Sequence, residues 1–281
     1  MRAPEAPPIL SRMKTEEVPV EVQVRNAVED WKAAIITDAE LMRILASQEF
    51  WEMPVSDAAA AEAMEDDVLS GVRIHEDKGG TRRLFIFSGS SAYRAHQKIT
   101  GEKELPEFLA VQASWLFQIL PPDIDFLEID PNSAYGITFD REQMEQLSTC
   151  ACSVDIEQTL FDLGDDESLT SEEMDAMLSE VAEYPSYQLA VYETENGRSI
   201  ALAPDENDRA LAAVFTHDDC FAAFVEESGD EEVRTITLSG VELFTELRSA
   251  DLTGIVFNCS GPGEPVAFAL GIADVVLRSV N

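Results

Sequence analysis

One run of adjacent side chains combines an imidazole, two carboxylates and a thiol: His217, Asp218, Asp219 and Cys220. The run begins a predicted helix, and the positive end of a helix dipole can lower the pKa of a thiol and make it a nucleophile. Nucleophilic catalysis also needs a base beside the nucleophile and a third group that orients the base. Asp219 is explained by helix capping alone, and Cys220 aligns with Ala92 of an earlier segment, which is typical of a small buried position. We therefore predict no catalytic residues here.

The remaining candidates for metal or cofactor chemistry are weak. Cys150 and Cys152 are one residue apart, whereas zinc sites usually take four ligands, and no second pair is present. The acidic run 162–167 lacks the alternating acids and the glycine of a calcium loop. The glycines at 79–80 and 261–263 are turn signals, because no phosphate-binding glycine motif contains them. The sequence thus predicts four free thiols, no metal and no cofactor.

The chain is strongly acidic, and the acid excess is uneven. Its 281 residues include 55 acids and 19 bases, for a formal net charge of −36. From Glu142 to the end there are thirty acids and five bases, all arginine. Such a surface repels phosphate groups, which disfavours nucleic acids and anionic membranes as partners. The charge favours a basic protein partner, or it serves only solubility or adaptation to a salty cytoplasm.

The N-terminal segment carries no export signal that we recognise. Its start, MRAPEAPPIL, lacks the apolar stretch of a signal peptide, and no apolar run approaches the ~18 residues of a membrane span. We expect a cytoplasmic protein with reduced thiols. The prolines of the first residues predict a disordered tail over residues 1–18.

Four blocks of sequence recur in the same order about 130 residues apart. The first is a capping box, in which a threonine hydroxyl and a glutamate three residues later satisfy helix N–H groups reciprocally. It occurs at Thr37 with Glu40 and again at Thr170 with Glu173. The other blocks are a buried strand entering a helix, an amphipathic helix, and a strand, turn and strand. They occupy 84–88, 116–120 and 126–139 in the first copy, and 212–216, 243–247 and 254–270 in the second.

The repeat predicts the domain organisation. Strands mixed with helices give a sheet covered by helices, so we expect an α+β fold made of two tandem repeats. The predicted parts are a tail (1–18), a first domain (19–152), an acidic linker (153–169) and a second domain (170–281).

The blocks resemble the N-terminal domain of the SseB family, named for enhanced serine sensitivity. The resemblance rests on Val214-Phe215-Thr216 and Gly254-Ile255-Val256-Phe257-Asn258 in the second copy. In the first copy it rests on Ile86-Phe87-Ser88 and Ile129-Asp130-Pro131, with aspartate where asparagine is usual. Cys259 replaces the proline of the family pattern. The resemblance implies a bacterial interaction or regulatory module and no established catalytic residues.

A surface for a partner is predicted from aromatic and acidic residues. Trp115 aligns with the polar Glu242, so it is expected to point outward and to anchor an interface, or to pack against the other copy. The predicted partner-binding residues are Trp115, Trp51, Phe50, Asp230, Glu231 and Glu232. The favoured function is a non-enzymatic protein-interaction or regulatory module. The alternatives are an acidic inhibitor or immunity-like protein that neutralises a basic partner, and an enzyme of unidentified class.

Overall fold

The structure is a computed structural model. It describes residues 18–55, 72–101, 106–165, 169–194, 197–203, 209–230, 232–261 and 265–280. The tail predicted for residues 1–18 therefore lies outside the described residues, apart from Val18.

The first half of the chain forms a mixed sheet. Its elements are α1 (Val20–Lys32), α2 (Asp38–Ala46), β1 (Trp51–Val55), β2 (Ile74–Glu76), β3 (Arg82–Ile86), α3 (Ser90–Thr100), β4 (Glu107–Val111), α4 (Ala113–Gln118), β5 (Phe126–Ile129), β6 (Ile137–Phe139) and α5 (Arg141–Asp165). Strands β2, β3, β5 and β6 are neighbours in that order, and β1 pairs with β4. Glu52 and Phe87 exchange two backbone hydrogen bonds of 2.9 Å, which join β1 to the end of β3. The strand order is thus β4-β1-β3-β5-β6, with β2 paired to β3 on the same side as β1, and among these described pairs only β3 and β5 are parallel.

The second half forms a second mixed sheet. Its elements are α6 (Ser171–Glu183), β7 (Tyr187–Thr194), β8 (Gly197–Ile200), β9 (Leu202–Ala203), β10 (Leu211–Phe215), α7 (Asp218–Ser228), β11 (Val233–Leu238), α8 (Gly240–Arg248), β12 (Gly254–Phe257), β13 (Val266–Ala269) and α9 (Ile272–Ser279). The strand order is β11-β7-β10-β12-β13, with β8 paired to β7 and β9 paired to β10. Strands β10 and β12 are parallel, whereas the other pairs are antiparallel.

The two sheets share strand order, strand direction and register. Ile86 lies opposite Ile129 in the parallel pair of the first sheet, and Val214 lies opposite Phe257 in that of the second. Both members of the second pair follow those of the first by 128 residues. The recurring sequence blocks therefore occupy corresponding places in the two sheets, and the α+β class predicted from the sequence is confirmed.

Apolar side chains fill both faces of each sheet. In the first half, one large core includes Val24, Leu45 and Leu127, and a smaller cluster under α3 contains Phe87 and Tyr93. The second half likewise has a core under α6, α8 and α9 and another under α7. In the part of the chain that the structure describes, no helix has the length and apolar character needed to cross a membrane.

Helix α5 corrects the predicted linker 153–169. The segment continues as helix up to Asp165, so the closing helix of the first half runs without a break into the second. Ile156 and Leu160, four residues apart on one helical face, are buried in the core of the second half. The run Gly164-Asp165-Asp166-Glu167 predicts a linker by its composition, whereas the helix continues because its apolar residues are buried in the second half.

Helix α1 and the second part of α5 each contribute a glutamate near the helix that follows the first parallel strand of their half. Glu21 of α1 accepts hydrogen bonds from Ser91 and from the Ala92 N–H at the start of α3. Glu157 of α5 accepts instead from Thr216, directly after β10, and from Asn258. The two glutamates therefore lie in the same region of each half but have different partners.

Candidate functional site

The candidate site begins at the carboxyl ends of the parallel strands β10 and β12. Asn258 follows β12 with a φ of 48°, a left-handed conformation that asparagine tolerates better than most residues. Its Oδ1 accepts the Thr216 N–H at 3.0 Å, and its Nδ2 donates to Thr216 Oγ1 at 2.9 Å. These bonds fix the turn that leads from β10 into α7. Ligands of open sheets with parallel strands commonly bind at this edge.

Glu157 connects this turn to the first half of the chain. Its Oε1 accepts from Thr216 Oγ1 at 2.6 Å and from Asn258 Nδ2 at 2.8 Å. Its Oε2 accepts from Arg43 Nη2 of α2 at 2.6 Å, and Arg43 Nη1 reaches Oε1 at 3.3 Å. Burial raises the pKa of Glu157, and Arg43 and the hydrogen bonds offset that effect in part. The forked ion pair therefore joins the two halves at the edge of the second sheet.

A cleft of about 540 Å³ lies between the two halves beside this ion pair. Its wall includes Asp38 from α2, Thr149 from α5, Ser186 and Gln188 at the start of β7, and the beginning of α7. Three carboxylates, those of Asp38, Asp218 and Asp219, line it. None of the described residues that line it is Lys or Arg.

The run 217–220 is held in a state that does not suit nucleophilic catalysis. Cys220 is wholly buried, and burial raises the pKa of its thiol to about 12, so the thiolate is scarce at neutral pH. Burial and the nearby Arg43 lower the pKa of His217 to about 3, which makes the imidazole a weak base. The predicted role of Cys220 as a small buried helix residue agrees with its place in the core under α7.

The first half carries a more acidic version of the same turn. Asp130 replaces Asn258, with the same φ of 48°. It accepts from the Ser88 N–H at 2.8 Å and from Ser88 Oγ at 2.6 Å. Burial, together with the charges of Glu21 and Glu52, raises the pKa of Asp130 to about 6, although the Ser88 hydrogen bonds act in the opposite direction. The second half therefore has the amides of Asn258 and Gln188 where the first has the carboxylates of Asp130 and Glu52. Gln188 corresponds to Glu52 because Gln188 pairs with Phe215 as Glu52 pairs with Phe87.

The comparison with known families identifies the first half. Residues 24–146 match the family model described as the SseB protein N-terminal domain. The first half of the chain therefore contains an SseB N-terminal domain. No curated protein and no solved structure gives a significant match to the chain.

The SseB domain exposes two of the aromatic residues predicted to bind a partner. Trp115 on α4 is 41% exposed and Phe50, just before β1, is 40% exposed. The prediction for Trp51 is wrong, because its side chain is 0% exposed and packs near Phe117 in the core. Phe50 and Trp51 are neighbours whose environments differ because successive residues at a strand point to opposite faces.

The predicted acidic residues lie in the second half, away from the aromatic residues in the chain order. Asp230 accepts a hydrogen bond from Tyr192 at 2.9 Å, Glu232 is exposed, and Glu231 lies outside the described residues. The structure thus does not place the predicted residues in one element. Sequence reasoning missed Asp38, Gln188 and the cleft, because they come from separate segments that share no motif.

One of the four cysteines, Cys150, lines the cleft. Within the described ranges the four cysteines are free thiols, Cys220 buried and the other three half-buried. Across the same residues, no group of three or more His, Cys, Asp or Glu side chains is arranged to hold a metal ion.

Proposed function

We propose that this SseB-domain protein is a non-enzymatic protein-interaction module that recognises a basic segment of a protein partner in the cleft between its two halves. We further propose that the second half is a diverged SseB-type copy, joined to the first by α5. The observation that carries the proposal is the charge of the cleft, which has three aspartates and no cation among the described lining residues.

The physical chemistry of the site supports binding in preference to catalysis. A weakly basic His217 and a protonated Cys220 are a poor base and nucleophile, whereas carboxylates in a cleft attract cations. Acidic residues outside the cleft add to the same field, which speeds the approach of a basic partner. An acidic inhibitor that neutralises a basic protein would use the same surface, and it differs only in the consequence for the partner.

The experiment is affinity capture with the full chain, followed by kinetic measurement with the purified partner at low and high salt. The test variant is Asp38→Asn/Asp218→Asn, which removes two charges from the cleft. The control is Glu246→Gln/Asp251→Asn, which removes two exposed charges that do not line the cleft. We expect the test variant to lower the association rate about 10-fold at low salt and the control to leave it nearly unchanged. Equal effects of the two variants would contradict the cleft as the recognition site.

A further inference from the structure

Three of the residues that line the cleft each carry a buried polar atom without a hydrogen-bond partner: Gln188 Oε1, His217 Nε2 and Asp219 Oδ2. They are three of five such atoms in the described part of the chain. A buried polar group without a partner costs roughly 1–3 kcal/mol, so proteins rarely leave several of them in one place. Their concentration in one cleft indicates a ligand that supplies the missing partners.

The unpartnered atoms are suited to a ligand that donates hydrogen bonds. Gln188 Oε1 and Asp219 Oδ2 are acceptors only. The His217 side chain is 10% exposed, and its Nε2 lies 3.4 Å from Glu157 Oε1 without forming a hydrogen bond. The Glu157 carboxylate favours the neutral tautomer with the proton on Nε2, so the acceptors left for a ligand are those of Gln188 and Asp219.

The charge of the cleft specifies a cation. Asp38 and Asp218 also line the cleft. Among the described residues their side chains accept hydrogen bonds from neutral groups, Trp31 Nε1 for Asp38 and Gln188 Nε2 for Asp218. Arg43, which follows the lining residue Met42 in the chain, forms its forked pair with Glu157. A cationic group of the ligand is therefore matched by carboxylates rather than repelled.

We propose that the cleft binds the guanidinium group of an arginine side chain presented by a segment of a protein partner. A guanidinium has five N–H donors in one plane and keeps its charge at all relevant pH values, so it can serve several acceptors at once. A lysine ammonium has three donors around one point and is more strongly hydrated, so its transfer into the cleft costs more. The volume of about 540 Å³ leaves room for the side chain and adjoining backbone. This assignment rests on the proposed function, of which it names the recognised group.

The test is calorimetric titration of the full-length protein with blocked amino acids: N-acetyl-arginine methylamide, its lysine analogue and its uncharged citrulline analogue. We expect saturable binding of the arginine derivative, at least 10-fold weaker binding of lysine, and at least 100-fold weaker binding of citrulline. Equal binding of citrulline, or no saturable binding of arginine, would overturn the proposal. Tighter binding of free arginine than of the blocked form would overturn the assignment to a protein segment.

Two variants localise the binding. Asp219→Asn removes one charge and Gln188→Met removes one acceptor, each with little change in size. Asp251→Asn is the control for a charge outside the cleft. We expect each cleft variant to weaken arginine binding at least 10-fold and the control to change it less than 2-fold, with circular dichroism confirming the fold. If arginine fails to bind while partner association still depends on Asp38 and Asp218, the guanidinium assignment is wrong and the acidic cleft stands. If neither dependence is found, both proposals are wrong.

Discussion

Asp130 and Asn258 occupy the same turn position in the two halves, but only Asp130 can carry a charge there. Both have a φ of 48° and accept the N–H of the residue that follows the preceding parallel strand. Asp130 is 4% exposed, and its pKa is raised from 3.8 to about 6, mainly by burial. The folded state therefore binds a proton that the unfolded chain releases between these pH values. The stability associated with neutral Asp130 is complete below pH 3.8 and is lost as the pH rises through about 6.

Asp130→Asn should stabilise the protein at pH 7. The amide removes the buried charge and can donate to Ser88 Oγ as Asn258 donates to Thr216 Oγ1. A pKa shift of about two units corresponds to ~3 kcal/mol, which is the upper limit of the gain in the free energy of unfolding. Urea unfolding of the original protein and of Asp130→Asn at pH 7 and pH 4 measures this gain. The difference in the free energy of unfolding should nearly vanish at pH 4.

The reverse change supplies the matched control. Asn258→Asp places a carboxylate beside Glu157, with which Asn258 Nδ2 now forms a hydrogen bond of 2.8 Å. We expect Asn258→Asp to lower the free energy of unfolding at pH 7. The loss should be smaller at low pH, where the carboxylates become protonated. A stabilising Asn258→Asp, or an Asp130→Asn effect that is the same at both pH values, would contradict the electrostatic account of these turns.

At the scale of elements, close packing of α8 against the end of α6 depends on Gly240. A Cβ at this position would lie 2.6 Å from the Ala182 carbonyl oxygen and closer still to that of Val181. Backbone atoms cannot move aside as a flexible side chain can, so Gly240→Ala should lower the free energy of unfolding by roughly 2 kcal/mol or more. Gly271→Ala is the control, because no atom lies within 4 Å of its added Cβ. Equal unfolding midpoints for the two variants would refute the close approach.

Helix starts and buried strands could be predicted from the sequence. The structure contains both predicted capping boxes, at Thr37 and Thr170, because their signal is local and chemical. A third box, Ser239 with Glu242, was missed although it has the same pattern. Apolar strands such as 84–86 and 212–215 were recognised because they are buried on both faces and read as continuous apolar runs.

The continuity of α5 and the cleft could not be predicted, for different physical reasons. Four of the thirteen residues 153–165 are acids and the acidic run continues to residue 167, so composition favoured a linker over a helix. The site depends on Arg43 and Glu157, which are 114 residues apart and meet only because α2 packs on α5. No spacing rule within either segment encodes such a contact.

At the scale of the whole molecule, the pair of Arg43 and Glu157 connects the two halves. Their side chains are 14% and 18% exposed, so loss of one partner leaves a poorly solvated charge. Arg43→Met should lower the free energy of unfolding by ~2–3 kcal/mol at pH 7, and by less at pH 4, where Glu157 is closer to neutral. Urea unfolding monitored by circular dichroism measures both values.

An exposed ion pair within α5 provides the comparison. Arg141 and Glu145 form an ion pair of 3.3 Å with side chains 45% and 68% exposed, and such pairs contribute roughly 0.5 kcal/mol or less. Arg141→Met should therefore change stability far less than Arg43→Met. Similar losses in the free energy of unfolding for the two variants would show that the pair between the halves stabilises the protein no more than the exposed pair does.

The central claim is that both halves of the molecule form one acidic cleft that receives a basic segment. Two-dimensional ¹H–¹⁵N spectra recorded during titration with acetyl-Gly-Arg-Gly-amide test it most directly. The account predicts that amide signals of residues such as Ala39 and Thr149 in the first half shift together with those of Ser186 and Asp218 in the second, with one dissociation constant. Shifts confined to one half, or scattered over exposed acids in proportion to their number, would contradict it.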